Sequence, residues 1–213
     1  MSVIAFTEKI SRDLIKFDLN TDVSLANAIR RIILSEVETV GFHTEPYEES
    51  DVTIIENTSS LHNEFLAHRL GMCPVNIENP KAFEPDKYKF ILDVKNTGTK
   101  TVNVTTKDIK IIDKDSNKEL DTSLFFKEDD ITKNHILLIK LKSNPGGEGE
   151  KINIEAKARV GNGRLNSRFS PVSCVTYSNK IDQSKFEVAL NKYIEEQKEK
   201  MPDMDGDAES KAK

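Results

Sequence analysis

The sequence predicts an α+β fold in which helical elements near the two ends of the chain bracket a β-rich middle. Three observations carry that expectation. Residues 25–37 follow an amphipathic helical period, and a second helical pattern begins at Ser184. Between residues 76 and 160 the chain runs instead through short β-branched and apolar stretches separated by turn residues. The arrangement expected is a discontinuous domain formed by residues 1–45 plus 172–202. A β-rich second domain is inserted at 46–171, and an acidic tail follows at 203–213.

In chain order, residues 13–19 read as a strand, because Ile15, Phe17 and Leu19 alternate with Lys16 and Asp18. Asp22 or Ser24 then offers an N-cap. Leu25, Ala28, Ile29, Ile32, Ile33 and Val37 take i, i+3, i+4, i+7 spacing, which makes an apolar stripe wider than about 100°. Arg30 and Arg31 point to neighbouring sectors of that helix. A rigid guanidinium fork beside so much apolar surface suits a carboxylate or carbonyl partner; the alternative is a core helix whose arginines snorkel into water. Val40-Gly41-Phe42 and Val52-Thr53-Ile54-Ile55 read as short strands. A second helix follows, with Ser60 as its N-cap, Glu64 in its first turn, and Gly71 and then Pro74 as stop signals.

In the middle, strands are expected at residues 88–94, 101–106, 109–112 and 136–142. Asn96-Thr97-Gly98 and Asn144-Pro145-Gly146-Gly147 lie between them as loops. Residues 151–160 form the clearest strand, with Ile152, Ile154, Ala156, Ala158 and Val160 facing one way. Ser184 and Glu187 make a capping box for the terminal helix. Phe186, Leu190, Tyr193, Ile194 and Gln197 mark one face of it, and Pro202 ends it. Residues 203–213 have no apolar period and are expected to be disordered. So small a domain offers the terminal helix little surface to pack on, and a partner subunit would provide it.

Composition narrows the function classes. The 213 residues allow one or two domains with a real core, 37% hydrophobic and 31% charged. The longest apolar runs fall far short of the roughly 20 residues of a membrane helix. The first residues carry no basic segment leading into an apolar stretch, so no secretory leader is expected and an intracellular setting is. A net charge of −5 and a pI near 5.5 argue against a protein that binds nucleic acid over its whole surface. Cys73 and Cys174 stand outside any Cys-x-x-Cys pair and read as buried free thiols rather than a disulfide. His43, His62, His68 and His135 form no His-Glu-x-x-His or His-x-His arrangement, and structural roles are expected for them. Gly161-Asn162-Gly163-Arg164 lacks the Gly-Lys-Ser/Thr of a phosphate loop and reads as a turn whose glycines permit positive φ. Lys133, Lys140, Lys142, Lys151 and Lys157 are interleaved with acids, as on a solvated β face. No catalytic, cofactor-binding or metal-ligating residue emerges.

Three segments in order carry a family likeness. The first is Asn27-Ala28-Ile29-Arg30-Arg31-Ile32-Ile33-Leu34-Ser35-Glu36-Val37-Glu38-Thr39-Val40. The second is Asn63-Glu64-Phe65-Leu66-Ala67-His68-Arg69-Leu70-Gly71-Met72-Cys73-Pro74-Val75. The third runs from Ala156 through Gly161-Asn162-Gly163-Arg164 to Phe169-Ser170-Pro171-Val172. Together they resemble the α-type assembly subunit of multisubunit DNA-directed RNA polymerases (the third-largest-subunit or archaeal D-type). The likeness is to the eukaryotic, archaeal or large-DNA-virus branch rather than the bacterial one.

The resemblance implies a non-catalytic scaffold whose discontinuous domain dimerises with a smaller α-like subunit and docks the second-largest subunit. The nucleotidyl-transfer site would belong to the large subunits. Carried onto this sequence, docking falls to Asn27, Arg30, Arg31, Ser35, Glu36, His68 and Arg69. The dimer seam falls to Leu25, Ile29, Ile32, Ile33, Phe186, Leu190, Tyr193 and Ile194. Small accessory polymerase subunits are further partners, with no direct DNA contact and no membrane expected. The setting is nucleus or cytoplasm, or virion and host cytoplasm for a viral source. Many relatives carry a cysteine-rich metal loop or iron–sulfur domain in the middle. Residues 76–86 contain no cysteine, so no metal is carried over. The rival expectation is a stand-alone β-rich ligand-binding domain or enzyme, a well-behaved monomer with a ligandable pocket.

Overall fold

The computed structural model describes residues 3–11, 13–144 and 146–200, so the expected disorder of the tail lies outside the described residues. The chain divides into two compact units, residues 1–175 and residues 176–213.

The first unit opens with an antiparallel hairpin of β1 (Ile4–Lys9) and β2 (Ile15–Leu19). Asp22 then caps α1 (Val23–Ser35), its carboxylate accepting from the Leu25 N–H at 2.8 Å. β3 (Glu38–Gly41) leads to β4 (Val52–Asn57) and α2 (Asn63–Gly71). The strands that follow are β5 (Tyr88–Lys95), β6 (Val102–Thr105), β7 (Lys110–Asp113), β8 (Lys118–Leu120), β9 (Leu137–Leu141), β10 (Lys151–Ala156) and β11 (Arg159–Asn162). The principal sheet has the order β4-β10-β5-β7-β8, all antiparallel, and β11 with β3 and β6 with β9 make two further ribbons.

The expected strand at 151–160 is split. Ile152, Ile154, Ala156 and Ala158 are all buried, so the alternation holds, but the pairing partner changes midway. β10 lies between β4 and β5; the Lys157 N–H then reaches the Asp51 carbonyl at 2.9 Å, and β11 pairs with β3. Arg159 secures the crossing. Its Nε and Nη2 donate to the two oxygens of Asp51, the latter at 2.6 Å, and Nη2 also reaches the Glu49 carbonyl. Residues 159–162, which sequence assigns to the inserted domain, therefore pair with a strand of the first 45 residues. Val40 and Phe42 share one core with Phe90, Phe126, Leu92 and Ile152. Phe42 stands edge-on to Phe90, with ring centroids 5.1 Å apart.

Other local expectations shift for identifiable reasons. α2 is capped by His62, whose Nδ1 accepts from the Glu64 N–H, and not by Ser60. Asn57 has already drawn the preceding residues into a turn, accepting from the Ser59 N–H and hydroxyl and donating to the Leu61 carbonyl. Gly161 and Gly163 are not at positive φ; close approach is what they permit. A Cβ on Gly161 would lie 2.8 Å from the Phe169 ring, and one on Gly163 would overlap the Leu34 carbonyl. Cys73 is a buried free thiol as expected, whereas Cys174 is free but exposed. Burial pushes the Cys73 thiol up to about 12 against the opposing charge of Arg69.

In the second unit, α3 (Gln183–Lys200) is preceded by Asp182, which serves as the cap in place of Ser184. The Ser184 hydroxyl and the Lys185 N–H both donate to the Asp182 carboxylate, the hydroxyl at 2.6 Å, and hold it below the usual carboxylate range. Among the described residues no helix is long and apolar enough to cross a membrane.

Candidate functional site

α1 is the element whose sequence and environment disagree most. Its apolar residues follow a helical period, yet none of its thirteen residues is buried. Leu25 and Ile32 are 43% and 52% exposed, and Ile29 and Ile33 are half-buried. The two arginines differ. Arg30 is half-buried, and its Nε and Nη2 both donate to Asn27 Oδ1, one turn back, at 3.1 and 3.0 Å. Arg31 is exposed and makes no side-chain hydrogen bond or ion pair among the described residues. The Ser35 hydroxyl returns to the Arg31 carbonyl at 2.9 Å.

Glu36 stands past the helical register as the C-cap. Its N–H reaches the Ile32 carbonyl, and its carboxylate meets Arg164 at 3.0 Å. The last carbonyls of a helix lack intrahelical donors, and here distant residues supply them. The Arg164 N–H donates to the Ser35 carbonyl at 3.0 Å and the Ser170 hydroxyl to the Leu34 carbonyl at 3.2 Å.

α2 holds the other two docking candidates, and their contacts run elsewhere. Arg69 donates from Nε and Nη2 to the carbonyls of Leu138 and Leu137, both at 2.7 Å. Its fork thus occupies main-chain acceptors of β9, a strand that among the described residues pairs with β6 alone. His68 lies 3.5 Å from Glu45. Sequence reasoning missed Arg168, whose side chain is only 3% exposed. Its Nη1 donates to the Phe42 carbonyl and the Thr44 hydroxyl, and Nη2 faces Glu45 at 3.7 Å. A Cβ on Gly71 would overlap that Nη1. The glycine that ends α2 and the arginine in the third segment are therefore two halves of one fit. The available signal was an arginine set in a neutral, small-residue stretch beside Phe169.

In α3, Phe186 and Tyr193 are about half exposed, and Leu190 and Ile194 are half-buried. Among the described residues, no group of three or more His, Cys, Asp or Glu side chains is placed to hold a metal ion. An open groove of about 450 Å³ is lined by Lys89, Lys114, Glu155 and Lys157 among others, and Lys89 and Glu155 already pair at 2.7 Å.

Known proteins bear on this geometry. The model of the RNA polymerase Rpb3/Rpb11 dimerisation domain matches residues 17–115, from β2 to just beyond β7. The Rpo3 subunit of DNA-directed RNA polymerase from Methanocaldococcus jannaschii is 30% identical over 170 residues, covering 80% of this chain and 72% of that subunit. The chain belongs to the Rpb3/Rpo3 family of RNA polymerase subunits. Subunit 3 of DNA-directed RNA polymerases II, IV and V from Arabidopsis thaliana is 31% identical over 194 residues, covering 82% of this chain and 56% of the plant protein. A conjugation stage-specific protein of Tetrahymena thermophila is 30% identical over 180 residues, covering 75% and 53%. This Rpb3/Rpo3-family chain thus spans little more than half the length of those two relatives. A stand-alone enzyme or ligand-binding domain finds no support among them.

Proposed function

We propose that this chain is a non-catalytic assembly scaffold of a multisubunit DNA-directed RNA polymerase, acting in the nucleus or cytoplasm. It pairs with a smaller α-like subunit and docks the second-largest subunit, with small accessory subunits as further partners. It makes no direct contact with DNA. Residues 1–45 plus 172–202 serve as the dimerising part, and the five-stranded sheet belongs to the inserted part.

One observation carries the reading: an amphipathic helix of thirteen residues with none buried. Each large apolar side chain taken fully out of water contributes roughly 1.5–3 kcal/mol, and α1 leaves that contribution unused. Leu25, Ile29, Ile32 and Ile33 of α1 pack on the smaller subunit, and so do Phe186, Leu190, Tyr193 and Ile194 of α3. Asn27, Arg30, Arg31 and Ser35 face the second-largest subunit, with Arg31 the guanidinium still available for a carboxylate.

Co-expression with the smaller α-like subunit followed by size-exclusion chromatography tests the seam. The wild-type chain elutes as a heterodimer, Leu190→Asp does not, and removal of residues 203–213 changes nothing. A heterodimer that survives Leu190→Asp overturns the seam. Combining Arg30→Ala with Arg31→Ala weakens capture of the second-largest subunit by about 2 kcal/mol or more, as expected for loss of a desolvated charge pair.

A further inference from the structure

We infer that residues 161–170 are the positioning device for α1, and that Glu36 belongs to this device rather than to the docking surface. The inference rests on the docking role proposed above for α1, and concerns what aims that helix.

Five contacts converge on the last turn of α1 and on the strand that follows it. The Arg164 N–H caps the Ser35 carbonyl, and the Ser170 hydroxyl caps the Leu34 carbonyl. Arg164 pairs with Glu36 at 3.0 Å. The Thr39 hydroxyl donates to the Phe169 carbonyl at 2.7 Å. Gly163 lies so close beneath the Leu34 carbonyl that a single added carbon would overlap it. A helix end is ordinarily closed by the residues just after it, through a left-handed glycine or its equivalent. Here Val37, the residue after the C-cap Glu36, is not left-handed. The closing groups come from a turn more than a hundred residues later in sequence.

That turn is itself fixed from two sides. β11 is hydrogen-bonded to β3 along Arg159–Asn162, and Phe169 is fully buried against Gly161 and Gly41. The turn is therefore a rigid rest anchored on the core, and the last turn of α1 leans on it. Since α1 fully buries none of its own residues, these contacts at its end weigh heavily in its direction. Gly163, Arg164 and Ser170 act on the docking face through Leu34, Ser35 and Glu36, so they are positioning residues.

The assignment separates from direct docking by a charge exchange. A full polymerase assembly is reconstituted by co-expression, and recovery of the second-largest subunit is measured on the tagged chain. Glu36→Arg is expected to lower apparent affinity about fivefold, the scale of one exposed ion pair. Adding Arg164→Glu restores it, because the pair is rebuilt with its sense reversed. If Glu36 instead touches the second-largest subunit, the exchange leaves the loss in place and the inference fails. Gly163→Ala is expected to lower affinity more than about tenfold. In the same variant, amide hydrogen exchange should quicken through α1 and β3 while β4, β10 and β5 stay protected. Quickening spread evenly over all strands would mean global destabilisation and would also overturn the inference. Failure of the wild-type chain to recover the second-largest subunit would count against the docking reading itself, and is distinguishable from either result.

Discussion

α1 and α2 are built from the same materials and turned to opposite ends. Each is a short helix that mixes large aliphatic residues with arginine. In α2 the chain has closed over the apolar side, since Leu66, Leu70 and Gly71 are buried. Its arginine is consumed by the Leu137 and Leu138 carbonyls. In α1 no residue is buried, and Arg31 has no partner among the described residues. Residue type therefore does not mark an interface. What sets α1 apart, and what the proposed interface would use, is apolar area left uncovered beside an arginine with no protein partner among the described residues.

The largest test of that contrast is a pair of truncations. Leu70→Ala in α2 should lower the stability of the chain by about 2–5 kcal/mol, the range for opening a cavity in a packed core. Ile32→Ala in α1 should leave it within about 0.5 kcal/mol while weakening pairing with the smaller subunit. Denaturant unfolding and size-exclusion chromatography read the two effects separately, and equal losses of stability would erase the distinction.

The arginines give a smaller version. Arg69→Ala removes two charge-assisted bonds to main-chain carbonyls and should cost about 2 kcal/mol of stability. Arg31→Ala should leave the unfolding midpoint where it was and lower only the recovery of the second-largest subunit. A drop in the midpoint for Arg31→Ala would place that side chain inside the fold after all.

The smallest effect concerns pH and the thiol at the end of α2. The Cys73 thiol is raised from 9.0 to about 12. The folded chain therefore holds that proton more tightly than the unfolded chain does. The associated stability is fully present below pH 9 and is lost as pH rises toward 12. Iodoacetamide at pH 8 should modify exposed Cys174 and leave Cys73 intact until the chain unfolds. Equal labelling of both would show that the end of α2 opens readily.

The start and stripe of α1 were legible from sequence because they are local, whereas the groups that close its end come from residues 164 and 170. Of the two caps the sequence offers, Asp22 serves and Ser24 lies inside the helix, whose period is that of an amphipathic helix. What escaped was pairing at a distance. The alternation of residues 151–160 is the same whether the strand keeps one partner or exchanges it, so nothing local announces the break between β10 and β11. Similarly, a glycine that relieves backbone strain and one that admits a neighbouring carbonyl look identical in a sequence. Gly163 proved to be the second kind. For the candidate site, the chemistry of Arg69 could be read but not its destination. The role of Arg168 depends on Phe42, Thr44 and Gly71, all far away in the chain.

The contact between Ser170 and Leu34, 136 residues apart, also sets an order of events on the ribosome. At about 5–20 residues per second, roughly ten seconds separate the synthesis of α1 from that of the turn that closes its end. A nascent chain carries the sticky helix early but cannot fix its direction until the third segment has emerged. On the docking role proposed for α1, the chain thereby withholds an aimed surface until nearly all of the first unit has been made, and a truncated translation product presents α1 without the support that orients it.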